Sequence, residues 1–458
     1  MLLTWAAVAL SAAGAGAQDR RPAPEAFVAP GGDAVALAYP SGRPAAVDER
    51  RLLELGGNRI NSRNNTPWPA PDIDRIVLVR LADGVVHEVL APFETRLGWV
   101  RFSPDGSYLS YVVIRDTGAE QWVLDIASGI PRPVTSASLN ATRGEPCAWL
   151  RDASRVLCRF VMSARGAPPA GGDALFRYHF TSQLATVELA TGRRSNVGAP
   201  ALFTRAVPSP DGEFVLVAAL DEPADDAAAD ARGRSVEIRN AAGDLVRRLA
   251  DLPADDAAAG RQQPGWHPAA PATAVWSEPD LAGGSRALGL AAPFDGTPET
   301  LIETELGFAG IAWTERGLAL VTEADERTGR RRTLLLDGSG RTPRTLLDWS
   351  LVDGPAAAGT PVRRAGGPAG GGVVMQDGDR ILLIGDGGRF LDRLDVGTLR
   401  VERLFESDET AGEAVVAALT ADGGTLLTRR PGDGAEAGYF LRDTTAATST
   451  PLPGPADR

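Results

Sequence analysis

The 458-residue chain is 43% hydrophobic and carries 47 Lys+Arg against 59 Asp+Glu, a net charge of −12, and all 47 of those basic residues are arginine. That apolar fraction is ample for a buried core. The acidic balance and the lack of any basic block argue against a nucleic-acid backbone as partner. The lysine-free, Ala- and Gly-rich composition reads as codon bias of a GC-rich genome.

Residues 1–17 read as an export signal, with a short apolar stretch from Leu2 to Leu10, small residues after it, and Ala15-Gly16-Ala17 as the cleavage site before Gln18. The stretch is too short to span a bilayer, and no other apolar run approaches about 18 residues. The expected location is the periplasm or the medium, with no membrane span.

From residue 24 onward one phrase recurs: an apolar strand end, a tight turn, and a second apolar strand. Its clearest copies centre on Ser103-Pro104-Asp105-Gly106 and Ser209-Pro210-Asp211-Gly212. Looser copies centre on Pro30-Gly31-Gly32-Asp33, Trp149-Leu150-Arg151-Asp152, Trp266-His267-Pro268, Trp313-Thr314-Glu315-Arg316-Gly317, Gln376-Asp377-Gly378-Asp379 and Thr420-Ala421-Asp422-Gly423. Copies lie about 45–75 residues apart, the period of four-stranded propeller blades. Helical periodicity is nearly absent. The expected fold is therefore all-β: a propeller of four-stranded antiparallel blades over residues 24–453, with a tail at 454–458. The blades fall at about 24–93, 96–136, 144–198, 203–250, 261–304, 308–348, 362–406 and 414–453. Eight is the favoured count, and seven follows if the first repeat is an extension outside the ring.

Several segments interrupt the repeat. Residues 45–74 form a long insertion in the first repeat, and residues 164–173 a Gly/Pro-rich excursion in the third. Residues 221–231 and 254–260 are Ala/Asp-rich loops, and residues 354–372 read as a flexible connector.

The search for chemistry returns little. An α/β-hydrolase needs a G-x-S-x-G elbow, and Gly338-Ser339-Gly340 is the nearest approach, read as a hairpin turn. His87, His179 and His267 are scattered and read as structural. With only two cysteines they make no metal cluster, and no cofactor is expected. Cys147 and Cys158 flank one turn in adjacent strands. They either form a disulfide, as an exported protein permits, or remain two buried thiols.

Residues 53–65 resemble the LAGLRINPRTN segment of glutamyl endopeptidase-like serine peptidases, a branch of the prolyl oligopeptidase family. Leu139-Asn140-Ala141 and residues 147–152, 165–169, 181–185, 190–192, 292–294 and 390–395 are similar to that branch in the same order. The resemblance runs from about Ala23 to Pro453. It implies a propeller that caps an α/β-hydrolase domain bearing a Ser-Asp-His triad. No position of this sequence matches a family catalytic residue, so none is assigned. The loop after Gly166-Ala167-Pro168-Pro169 is shorter than in the family, and residues 221–233 replace an aromatic, proline-rich loop.

The resemblance implies a non-catalytic, substrate-gating part of an exported serine peptidase. It would act on a peptide or protein substrate, with the hydrolase domain separately encoded, lost or missed. The alternatives are a free-standing propeller that binds peptides or proteins, and a propeller enzyme with its own central site.

Overall fold

The computed structural model describes residues 23–453 apart from 43–48, 163–165, 222–232, 253–263, 280–282, 337–342, 351–358, 365–371, 409–411 and 433–436. The export signal read at residues 1–17, the tail at 454–458, the Gly338-Ser339-Gly340 turn and most of the 221–231, 254–260 and 354–372 segments lie outside the described residues.

Eight antiparallel blade sheets follow one another along the chain. Blade 1 is Glu25–Val28, Ala34–Pro40, Ile73–Arg80 and Val86–Leu90. Blade 2 is Arg96–Phe102, Tyr108–Arg115, Gly118–Asp125 and Pro131–Pro133. Among the described residues a single backbone pairing, Ile73 with Leu97, links the ladders of these two sheets. Blade 3 opens with Cys147–Trp149 and ends with Arg194–Ala201. Blade 4 runs from Phe203–Pro208 to Leu245–Leu252, and blade 5 from Gly265–Trp266 to Glu299–Thr304. Blade 6 runs from Gly307–Trp313 to Arg344–Ser350. In blade 7 the first position is shared by Thr360–Pro361 and Gln376–Asp377, both paired with Arg380–Ile384. Blade 8 runs from Ala414–Ala418 to Thr448–Pro451.

The recurrent turn explains why the strands reverse where they do. Ser103 Oγ donates to Asp105 Oδ1 (2.6 Å), Asp105 Oδ1 accepts the Ser107 N–H (3.0 Å), and Ser103 Oγ accepts the Tyr108 N–H (2.9 Å). Ser209, Asp211, Glu213 and Phe214 repeat this in blade 4, with distances of 2.5, 3.1 and 3.0 Å. Thr420, Asp422, Gly424 and Thr425 repeat it in blade 8, with 2.6, 2.9 and 3.0 Å. The hydroxyl and carboxylate take up backbone N–H groups that the turn leaves without a ladder partner.

Strand alternation then builds the ring. In the second strand of blade 1, Ala34, Ala36 and Ala38 pack against Leu97, Leu109 and Tyr111 of blade 2. The intervening Val35 and Leu37 pack against Leu419, Leu427 and Tyr439 of blade 8. Because side chains point alternately to opposite faces, a blade buried on both faces needs apolar residues at every position. A separate apolar cluster fills each of the remaining seams in turn, from blades 2 and 3 round to blades 7 and 8. Each fully buried Leu or Val contributes about 1.5–3 kcal/mol. Among the described residues the ring therefore closes with eight blades.

Among the described residues no strand crosses the closing seam. Blades 1 and 8 meet through side-chain packing and a hydrogen bond from Tyr439 Oη to Pro24 O (2.6 Å). Gly32 sits there with φ +71°, and a Cβ on it would stand 2.1 Å from Leu419 O. Only glycine fits both the conformation and the gap.

Two features depart from the reading by repeats. The 45–74 insertion carries a small sheet, Leu52–Leu55, Asn58–Asn61 and Thr66–Pro67. The third repeat carries an α-helix, Gly172–Phe180. They bury each other: Ile60, Phe176, Phe180 and Leu202 form one cluster, with Leu53, Leu55 and Leu220 against it. Phe176 and Phe180 stack one helical turn apart at 4.4 Å.

Candidate functional site

The first strands of blades 1–4 and 8, with Arg363, Arg364 and Met375 of blade 7, surround a cavity of about 520 Å³. Part of its wall is apolar, with Phe27, Val28, Val100, Phe102, Trp149 and Leu419. The charged part is one-sided. Among the described residues lining it, Arg101, Arg143, Arg159, Arg205, Arg363 and Arg364 face a single carboxylate, Glu145.

Local geometry decides which of these charges are already answered. Arg101 Nε donates to both oxygens of Glu145 at 2.8 Å. Arg364 pairs with Glu315 at 2.6 Å and donates to Pro30 O, tying blade 7 to blade 1. Arg205 donates to Pro264 O at 2.6 Å. Arg159 donates to Glu145 O and Gly144 O at 2.7 and 3.2 Å. Arg143 lies over the Phe180 and Phe176 rings, 4.8 and 5.8 Å from their centroids. Among the described residues Arg143, Arg159 and Arg205 thus have ring faces or backbone carbonyls as partners, and none of them is ion-paired with a carboxylate.

The electrostatics follow. Burial, reinforced by the like charge of Arg143, pulls the Arg159 pKa down to about 10. Burial and the neighbouring Arg234 lower Arg143 in the same direction, and burial lowers Arg205. Burial raises the Glu145 carboxyl above its ordinary value, against the opposing pull of Arg101 and Arg159.

A polar knot positions the 140–147 loop that carries Arg143 and Glu145. Asn140 Nδ2 donates to His179 O and Thr181 O at 2.8 and 3.2 Å, while its Oδ1 accepts from Thr142 Oγ1 at 2.7 Å. His179 Nδ1 donates to Asn65 Oδ1 at 2.9 Å, and the Ala141 N–H donates to Asn65 O at 2.9 Å. Three segments that carried the family resemblance, around residues 61–65, 139–141 and 181–183, therefore meet beside the cavity.

The other singled-out residues fall as follows. Cys147 and Cys158 stand directly opposite in register, with Cα atoms 4.1 Å apart, and are joined as a disulfide on the cavity wall. His87 lies in the outer strand of blade 1 with its ring against Gly129. His267 Nδ1 accepts the Ala269 and Ala270 N–H groups at 3.1 Å, and burial lowers its pKa. The three histidines are not brought together. Among the described residues no group of His, Cys, Asp and Glu could hold a metal ion, and no helix is long and apolar enough to cross a membrane. The arginine set was missed by sequence reading; its single local signal is an arginine inside an apolar first strand, as in Val100-Arg101-Phe102.

The ring of eight antiparallel sheets makes this a β-propeller protein. A Porphyromonas gingivalis dipeptidyl peptidase 4 structure matches it with a TM-score of 0.53 and 10% identity, over 94% of this chain and 60% of that one, which speaks to the fold alone. No family profile matches the sequence. Two curated relatives do: probable chloroplastic glutamyl endopeptidases of Oryza sativa subsp. japonica (27% identity) and Arabidopsis thaliana (28%), each over 88% of this chain. The chain spans about half the length of these relatives, 51% and 50%. The chain is thus a β-propeller whose sequence is similar to about half of each of these two probable glutamyl endopeptidases.

Proposed function

We propose that these residues are the non-catalytic, substrate-gating propeller part of an exported serine peptidase, and that bond cleavage belongs to an α/β-hydrolase domain. The observation that carries the reading is the axial cavity, open to six blades, about 520 Å³ in volume and walled by mixed apolar and polar groups. That size falls within the range of small-ligand sites, and its walls can take an extended peptide. The ring-and-cavity arrangement would admit a peptide strand and turn away a folded chain. Export through residues 1–17 belongs to the same reading.

The test pairs the purified chain with a separately expressed hydrolase domain of the family and follows cleavage of a short peptide and of a folded protein. The expected result is no fluorophosphonate labelling of the chain alone, and restriction of the hydrolase to the peptide when the chain is added. Covalent labelling of this chain would overturn the reading. Amino-terminal sequencing of the exported protein should give Gln18 as its first residue.

A further inference from the structure

We infer that the Cys147–Cys158 bridge is a reversible redox clasp: a dithiol opens it by thiol–disulfide exchange at Cys147, and opening loosens the inner end of blade 3 together with the 140–147 loop on the cavity wall.

The bridge is poorly placed to staple the ring. It joins two strands of one hairpin, 11 residues apart, which the ladder already pairs in register. It crosses no seam between blades. Cross-links that close short loops constrain an unfolded chain least. Locally its position counts for more. Bonded and non-bonded pairs alternate along an antiparallel ladder. The Leu150 N–H donates to Arg155 O at 3.0 Å and the Arg159 N–H to Pro146 O at 2.9 Å. Cys147 and Cys158 therefore stand at a position where the two backbones share no bond. On the entry side Pro146 has no N–H to return. The inner strand is only Cys147–Trp149, so its entry end rests on one ladder bond and the bridge. Ahead of it the loop is held by side chains, with Arg159 on Gly144 O and Glu145 O, and Arg101 of blade 2 on the Glu145 carboxylate.

The two sulfurs are unequal. Cys158 is fully buried in the seam between blades 2 and 3, whereas Cys147 is partly exposed and lines the cavity. An incoming thiolate therefore reaches Cys147 Sγ. A new S–S bond forms there, the Cys147–Cys158 bond breaks, and Cys158 leaves as a thiolate that takes up a proton. The second thiolate of the dithiol then displaces Cys147. Two electrons have passed to the bridge, the chain holds two thiols, and the dithiol has become a disulfide. Arg101, Arg143 and Arg159 line the same wall, and their positive charge favours a Cys147 thiolate, which stabilises the opened form. The export proposed above would put the chain among oxidants that close the bridge again.

The test treats the purified chain with millimolar dithiothreitol, without denaturant, and counts thiols by maleimide labelling and mass. The bridge should open while the chain keeps its cooperative melting transition. Hydrogen exchange should then rise at least about tenfold at residues 143–148 and at the Arg159 N–H, with the Ser209–Phe214 turn of blade 4 unchanged as control. Reoxidation should reverse the rise. The double variant Cys147→Ser, Cys158→Ser should show the fast exchange with and without dithiothreitol; if it does not fold, the exchange of the wild-type chain still decides. A bridge that opens only in urea, or that opens with no change at these residues, would overturn the inference. So would a rise spread evenly over all eight blades, which would make the bridge a staple of the whole ring. The reading of the cavity as a peptide channel stands under each of these results.

Discussion

Arg101 bridges the seam between blades 2 and 3 by placing its Nε 2.8 Å from each oxygen of Glu145. That pair supplies the lone negative charge on the described cavity wall, and its consequence for pH is specific. Burial raises the Glu145 carboxyl, so it takes up a proton at a higher pH than an ordinary glutamate. A carboxyl whose folded pKa is raised gives stability that is present below its unfolded value and lost as pH rises through the folded one. Relative to Glu145→Gln, the wild-type chain should therefore gain stability as pH falls from 7 through the range where Glu145 takes up its proton. Urea midpoints at half-unit pH steps check this; an identical pH profile in the variant would refute it.

Trp149 Nε1 donates to Ser110 Oγ at 3.0 Å, and Ser110 Oγ in turn donates to Arg101 O at 3.1 Å. Both side chains are buried, so the indole N–H has no water to turn to. Ser110→Ala should cost about 1–3 kcal/mol, the penalty of a buried donor left unmet. Urea denaturation measures it. A loss below about 0.5 kcal/mol would show that the blade 2–blade 3 seam repacks around the indole.

The closing seam makes a sharper contrast between two glycines. Gly32 and Gly57 both have positive φ, +71° and +69°. A Cβ on Gly57 meets nothing within 4 Å, whereas one on Gly32 meets Leu419 O at 2.1 Å. Gly57→Ala should cost about 1–2 kcal/mol for the left-handed conformation alone. Gly32→Ala adds the clash and should cost about 3 kcal/mol or more. Because no strand of the described residues crosses between blades 1 and 8, the Gly32 variant should also be cut faster by protease at that seam. Equal melting temperatures for the two variants would mean that the seam yields without cost.

The turns were legible because their physics is local: Ser103, Asp105 and Tyr108 satisfy one another within six residues, and the same residue types do so at Ser209 and Thr420. The eight-blade ring was legible for the same reason, since the repeat of turn and apolar strand is written in each blade. The helix Gly172–Phe180 was not, because Phe176 and Phe180 gain their value from Ile60, far away in the chain. The cavity was least legible. Arg101, Arg143, Arg159 and Arg363 share no spacing, and only ring closure brings them to one axis. An arginine-only composition hid them further, since each could be read as bias.

A last expectation concerns acid. In the second hairpin turns a carboxylate caps backbone N–H groups: Asp395 Oδ1 accepts from Thr398 N at 2.7 Å and Gly397 N at 3.0 Å, and Asp125 Oδ1 accepts from Ser128 N at 2.8 Å. The Thr398 N–H leads the groups that lower the Asp395 pKa, and the Ser128 N–H does the same for Asp125. A carboxyl whose folded pKa is depressed stabilises the fold above its unfolded value, near about 3.9, and loses that contribution as pH falls through the folded value. Asp395→Asn keeps an oxygen acceptor but has no charge to lose. The wild-type chain should therefore exceed this variant in urea midpoint at pH 7, and the gap should close below about pH 3. A gap that stays constant between pH 7 and pH 3 would mean that the carboxylate's charge contributes nothing to these turns, and that their geometry alone holds the blades' outer strands in place.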